Sequence, residues 1–289
     1  MAAIERMPRI EGISPEAADM AVALSCEAGW NQVAADWRVM LAHGNGFAAR
    51  AADGSLAGSA LVLPLGPEIA WVSMVLVTAA QRRRGLGTQL LARCLAACAE
   101  HGLVAGLDAT ELGRPVYAQL GFRDVYALRR WRLARAMPFG AVGAGTDILL
   151  APITPADLPE IAAFDAARSP FAREALLAQL ALRGPALTAR DRAGTLRGFA
   201  LSRNGRLATQ IGPILATTPD IALALLAGVS ARVAPPYVLD VPEGQAKFAA
   251  ALRAEGADSA RGFMRMVRGA PGRLAAWNDL HAIAGPELG

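Results

Sequence analysis

The chain has 289 residues, 54% hydrophobic and 19% charged, with a formal net charge of +4. Such a composition excludes a disordered chain. No apolar run approaches the roughly 20 residues of a bilayer span, so no membrane segment is expected. Lys247 is the only lysine, so the positive charge is carried by arginine, and no basic stripe with interleaved aromatics points to nucleic acid.

In chain order, the first ten residues carry Glu5, Arg6 and Arg9 and lack the apolar stretch of a secretory signal, which predicts a cytoplasmic protein. A short apolar segment then meets Ser14-Pro15, an N-cap followed by proline at the first helical position. A second helix is predicted over 34–41, and strand pairing around the turn at Asp53-Gly54. A buried strand over 70–77 runs into the basic, glycine-bearing turn 78–88, and a helix is predicted over 85–99. A strand over 104–109, a short helix over 114–120 and a strand over 122–133 complete this half. Residues 136–146 are rich in glycine and read as a linker.

The same order then repeats: Thr154-Pro155 as cap and helix start, a helix over 172–182, and turns at Ala193-Gly194 and Asn204-Gly205. Next come a strand over 208–215, a helix over 219–233, a strand over 237–241, a helix over 245–255 and a strand over 262–268. This parallel order predicts a duplicated α/β unit of about 130 residues, an ordinary domain size. Residues 271–289 form a tail, with a short helix expected over 274–284. The predicted boundaries are therefore 1–135, a linker at 136–147, 148–270 and the tail at 271–289. Cys26, Cys94 and Cys98 read as helix-packing thiols, and His43, His101 and His281 lack ligand spacing, so no metal is expected.

The chemistry is concentrated in one strand–loop–helix unit. The first turn of a helix leaves backbone N–H groups unpaired, and its dipole favours negative charge. Gly85 and Gly87 let a bulky anion approach that backbone, Thr88 adds a hydroxyl, and Arg82, Arg83 and Arg84 add cations. The assembly suits a pyrophosphate. A P-loop lysine is missing, and Gly85-x-Gly87-x-x-Leu90 lacks the third glycine of a dinucleotide fingerprint.

Arg82-x-x-Gly85-x-Gly87, after the strand Met74-Val75-Leu76-Val77, resembles the pyrophosphate loop of the GNAT superfamily of N-acetyltransferases. The segment from Leu107 to Tyr117 and Gly121-Phe122 is similar to a later element of that family. The resemblance covers residues 8–135; over the second half it is architectural, since Ile214 to Ile221 replaces the loop without glycine or arginine. It implies an α/β (α+β) fold of two tandem GNAT-like domains, each a mixed, mostly antiparallel sheet flanked by helices. The first is the acetyl-CoA-binding catalytic domain and the second a degenerate copy.

Several site roles follow from the same resemblance. The backbone of Met74, Val75, Leu76 and Val77 takes the pantetheine of acetyl-CoA. Arg82, Arg83, Arg84, Gly85, Leu86, Gly87 and Thr88 take its pyrophosphate, and Tyr117 protonates the leaving thiolate. The acceptor wall is expected around Trp30, Asn31, Gln32 and Trp37. Asp108 is a further substrate-binding candidate, and Asp165 and Asp240 could hold a cationic amine. The family's strand glutamate is missing, so Ser73, Asp36, Asp108, Glu111 or a water relay could serve the base role. The implied activity is acetylation of a primary amine on a small molecule by a monomer or homodimer. The alternative is a non-catalytic module that senses acyl-CoA or binds a partner.

Overall fold

The computed structural model describes residues 8–138, 147–270, 272–275 and 278–289. Most of the expected glycine-rich linker lies outside them. The first half runs β1 (Ile10–Ile13), α1 (Ala18–Glu27), α2 (Ala34–His43), β2 (Asn45–Arg50), β3 (Leu56–Pro64), β4 (Ile69–Val77), α3 (Leu86–Glu100), β5 (Val104–Ala109), α4 (Arg114–Gln119) and β6 (Arg123–Leu133). The second runs β7 (Ile148–Pro152), α5 (Leu158–Arg168), α6 (Glu174–Ala181), β8 (Leu187–Asp191), β9 (Leu196–Arg203), β10 (Thr209–Ala216), α7 (Pro219–Ser230), β11 (Tyr237–Pro242), α8 (Ala246–Ala254) and β12 (Asp258–Arg268). A 3-10 turn at Gly272–Ala275 leads toward β13 (Leu280–Ala282). No described helix is long and apolar enough to cross a membrane.

Local signals set most of these boundaries. Thr154 and Asp157 form a capping box, with the Thr154 N–H and hydroxyl donating to the Asp157 carboxylate at 2.9 and 2.7 Å. Asp53 accepts from the Ser55 N–H at 2.9 Å beside Gly54 at φ 85°, a turn that needs glycine. The ten residues Ile221–Ser230 of α7 are all buried, and the helix is apolar on every face because layers cover it on every side.

The two halves share one sheet, ordered β1-β2-β3-β4-β5-β12-β6-β11-β10-β9-β8-β7, with β13 beside β10. Among the described strands, only β4–β5 and β10–β11 pair in parallel. The last strands are exchanged. β12 of the second half lies between β5 and β6, while β6 of the first lies between β12 and β11. Cross-strand pairs hold this seam: Arg129 donates to Glu243 at 2.6 Å, and Arg130 forks onto Asp240. One apolar core is shared as well, since Trp37, Met40 and Trp71 pack in the same cluster as Phe171, Leu176 and Phe199.

The tail departs from expectation. Instead of a helix over 274–284, Leu280–Ala282 is a strand whose partners are Ile214 and Leu215 of β10. The Ile283 N–H donates to the Asp240 carbonyl of β11 at 2.9 Å. Open backbone edges between two diverging strands supply hydrogen bonds that local helix propensity cannot match.

Candidate functional site

Strand β4 changes course at Met74. Ser59 lies opposite Leu76 and Leu61 opposite Ser73, so β4 carries an extra residue, and Met74 sits at φ 51°. A non-glycine residue there is strained and needs support. Buried Ser59 supplies it, its hydroxyl donating to the Met74 carbonyl at 2.8 Å. β4 pairs with β5 only from Ile69 to Trp71. Beyond Trp71 the strands diverge and leave a cleft whose wall is the backbone of residues 72–77. Gly106 permits the last paired rung, because a Cβ there would stand 2.6 Å from the Trp71 ring.

At the end of β4 the chain turns into α3. Gly85 is the N-cap at φ 82° with no side-chain cap, and the space a Cβ would enter is open. The first-turn N–H groups of Leu86, Gly87 and Thr88 precede the first i→i−4 bond, made by the Gln89 N–H to the Gly85 carbonyl at 3.1 Å. An unblocked helix start with a glycine cradle fits a diphosphate. The three arginines divide their roles. Arg82 folds back, its Nε donating to the Val77 carbonyl at 3.0 Å, and Arg84 donates to Gln81 Oε1 at 3.0 Å, while Arg83 is exposed at φ 60°. Two of the three therefore brace the loop.

A cavity of about 150 Å³ opens beside the cleft. Ser73, Met74 and Val75 form one wall, and Tyr117 of α4 stands across from them with Gly113 and Thr110. Tyr117 is half-buried and packs edge-to-face on Phe122 with centroids 5.9 Å apart. Burial, reinforced by the nearby Cys94 thiol, pushes its hydroxyl up to about 12, so it keeps its proton at neutral pH. Cys94 and Cys98 are buried in the α3 core; burial raises both thiols, Cys98 to about 11.

Several candidates are corrected by their surroundings. Asn31 is a clamp rather than an acceptor contact: its Oδ1 accepts from the Leu207 and Ala208 N–H groups at 2.8 and 3.0 Å, and its Nδ2 donates to the Ala208 carbonyl at 2.9 Å. Trp37 is fully buried and donates to Ser25 Oγ at 3.0 Å, a core role. Asp108 does line the cavity, but both its oxygens accept from Arg265 of β12, at 2.8 and 2.7 Å. Burial pushes its carboxyl up against the opposing pull of that guanidinium. Asp36 receives Arg183 at 3.1 Å and Arg203 at 3.2 Å, and also the Val33 N–H at 2.9 Å. Asp165 is forked by Arg173, with both contacts at 3.1 Å. Glu111 is exposed and does not line the cavity. Trp30, Gln32 and Ser73 do line it.

The remaining wall comes from residues that sequence reasoning passed over. Arg130 of β6 and Arg261 and Phe263 of β12 face the cavity, as does Glu287 of the tail, whose Oε1 accepts from Arg203 at 2.5 Å. Asp240, a candidate to hold a cationic amine, is fully buried beneath Arg130, which donates to it at 2.8 and 2.7 Å. The strand exchange brings Arg130, Arg261 and Phe263 here, and the tail brings Glu287. The one signal in sequence is the clustering of Arg129, Arg130 and Arg132 at the end of a strand.

The second half repeats the geometry without the opening. The β9–β10 register shifts between Ile211 and Ile214, and β10 pairs with β11 only at Thr209 and Gln210 before diverging. Here β13 fills the gap. Gly212 is required, since a Cβ there would collide with the Ile283 carbonyl. The α7 start is closed by Thr218, whose hydroxyl accepts from the Ile221 N–H at 3.3 Å.

Comparison with known proteins agrees with this two-part reading. Residues 18–122 match the sequence model of the acetyltransferase (GNAT) family, and residues 161–282 match that of the acetyltransferase (GNAT) domain. The second half thus carries a sequence match of its own, beyond the architectural likeness expected. The curated N-acetyltransferase YitH of Bacillus subtilis (strain 168), itself described as uncharacterized, is 25% identical over 218 residues, 75% of this chain and 76% of that protein. Among solved structures, a GCN5-related N-acetyltransferase from Sphaerobacter thermophilus superposes with a TM-score of 0.64 at 19% identity, over 90% of this chain and 94% of that one. A tandem GNAT protein from the clavulanic acid biosynthesis pathway gives 0.67 at 16% identity, over 90% and 97%. These structural likenesses speak to fold, and the two sequence matches speak to family. With an open strand–loop–helix in one half and a filled one in the other, the chain belongs to the GNAT superfamily of N-acetyltransferases, as a tandem-domain acyltransferase.

Proposed function

We propose that the chain transfers an acetyl group from acetyl-CoA to a primary amine of a small molecule, at one site per chain, in the first half. The observation that carries this reading is the uncapped helix start at Gly85 beside the divergence of β4 from β5. The N–H groups of Leu86, Gly87 and Thr88, with Arg83 beside them, would hold the diphosphate. The backbone of Met74, Val75, Leu76 and Val77 would hold the pantetheine arm in the cleft. Bound there, acetyl-CoA supplies a thioester carbonyl to the amine.

The chain's own groups do the rest. Val75 lies in the β4 bulge, outside the β3 ladder, and its N–H is suited to polarise a carbonyl and stabilise a developing oxyanion. Tyr117 holds a proton at its hydroxyl for a leaving thiolate, and its raised value keeps that proton in place. Glu287 lines the same cavity and can accept the proton an amine sheds, and the Ser73 hydroxyl beside it can relay that proton. In the second half the tail strand β13 fills the corresponding cleft, which supports a single site.

Titration calorimetry with coenzyme A tests this directly. The expected result is one coenzyme A per chain; two, or none, refutes the assignment. Turnover of acetyl-CoA against an amine panel then tests the transfer itself.

A further inference from the structure

At the seam between the halves, Arg130 of β6 lies in register opposite Arg261 of β12, and both line the cavity. Like charges directly across a ladder repel, so the arrangement needs an explanation. Arg130 has one, because Asp240 takes its fork in full. The Arg261 guanidinium makes no hydrogen bond or ion pair with any described residue. It is half-buried, with its guanidinium 4.9 Å from the Phe263 ring, and burial together with Arg130 pushes its pKa down.

The other charges around the cavity are matched. Asp108 is held by Arg265, and Glu287 and Asp36 share Arg203 and Arg183. Of the four charged residues that line the cavity, Asp108, Glu287 and Arg130 each have an ion-pair partner, and Arg261 has none among the described residues. A half-buried cation in a small cavity is stabilised by an anion that it can fork. On the same cavity wall two buried acceptor atoms, Gln32 Oε1 and Ser73 Oγ, have no partner among the described residues. Groups of that kind are satisfied by an incoming N–H donor. The cavity, about 150 Å³, is below the roughly 300–1,000 Å³ of sites for drug-sized ligands.

We infer that the acceptor is a small amine that itself carries a carboxylate. Its carboxylate lies on Arg261, and its amino group lies toward Gln32, Ser73 and Glu287. This rests on the acetyl-transfer reading of the same site and narrows its substrate class. Arg261 is on this account a specificity determinant, positioned by an exchanged strand of the second half.

The test compares amines in matched pairs, each amino acid against the amine lacking its carboxylate (alanine and ethylamine, for example), with coenzyme A binding measured on the same preparations. Wild type is expected to favour the carboxylate-bearing member by at least about tenfold in kcat/KM. In Arg261→Met that preference should fall by about 10- to 100-fold, mainly through KM, and Arg261→Lys should retain part of it. Coenzyme A affinity should be kept in both variants, which shows that they are folded. Three outcomes overturn the inference while leaving acetyl transfer standing: equal kcat/KM within pairs, no carboxylate-bearing amine accepted, or an Arg261→Met loss equal for both members. Failure of wild type to bind coenzyme A overturns both together.

Discussion

Gly85 and Gly87 allow backbone cost and ligand contact to be separated. Gly85 sits at φ 82° with open space around its missing Cβ, whereas a Cβ on Gly87 would meet Val77 Cγ2 at an ordinary 3.5 Å. An L side chain in the left-handed region costs roughly 1–2 kcal/mol, so Gly85→Ala should lower unfolding stability by about that amount. Gly87→Ala, in the first turn of α3 with no clash, should leave stability unchanged or raise it by up to about 1 kcal/mol. Both added methyl groups narrow the approach to the first-turn N–H groups. Losing one hydrogen bond to a charged group costs about 1.5–3 kcal/mol, so coenzyme A should bind about 10- to 100-fold more weakly to each variant. Urea unfolding and titration calorimetry on the same samples give both quantities. The decisive case is Gly87→Ala: a variant at least as stable as wild type that binds coenzyme A with undiminished affinity would refute the placement of the diphosphate.

Other consequences follow from the site and its frame. Tyr117→Phe should reduce kcat by about 100-fold with little change in coenzyme A affinity. Because the phenol sits at about 12, wild-type kcat should show no alkaline loss from this group up to about pH 10, read from a pH–rate profile. Asn31→Ala removes three hydrogen bonds, two buried and one part-buried, at about 1 kcal/mol each, so unfolding in urea should show a loss of about 3 kcal/mol, and a selective rise in acceptor KM without it would contradict the clamp. His281 is buried in β13 and held down to about 4 by burial, so the unfolded chain binds a proton below its ordinary 6.5 that the folded chain refuses. Stability should therefore be full above pH 6.5 and fall by about 3 kcal/mol as pH drops toward 4, with His281→Gln flattening that slope in unfolding titrations.

The tail links the two halves in a way that bears on function. Its strand β13 fills the second cleft, and a few residues later Trp71 donates from its Nε1 to the Pro286 carbonyl at 2.8 Å while Glu287 reaches the cavity of the first half. The diverged half thus supplies an occupant for its own cleft and wall residues for the other.

What was legible in the sequence was whatever is written locally. The αL glycine, the uncapped helix start, the strand before it and Tyr117 at its offset from Gly121-Phe122 all depend on neighbours within a few residues, where backbone sterics and hydrogen-bond spacing act. The acceptor side is only partly legible, for the opposite reason: Trp30, Gln32 and Asp108 line the cavity, whereas others do not. Asn31 and Trp37 looked like recognition residues because polar and aromatic groups near a helix start can serve either packing or binding, and only their distant partners, Ala208 and the shared core, decide which. The propensity of the tail predicts a helix because it carries no record of the open strand edge that captures residues 280–282. Arg261 and Arg265 carry no signal at all, since strand exchange is a choice of long-range pairing, and sequence distance holds no information on which edge a strand will join until the sheet is built; Glu287 reaches the cavity only because the tail docks on that sheet.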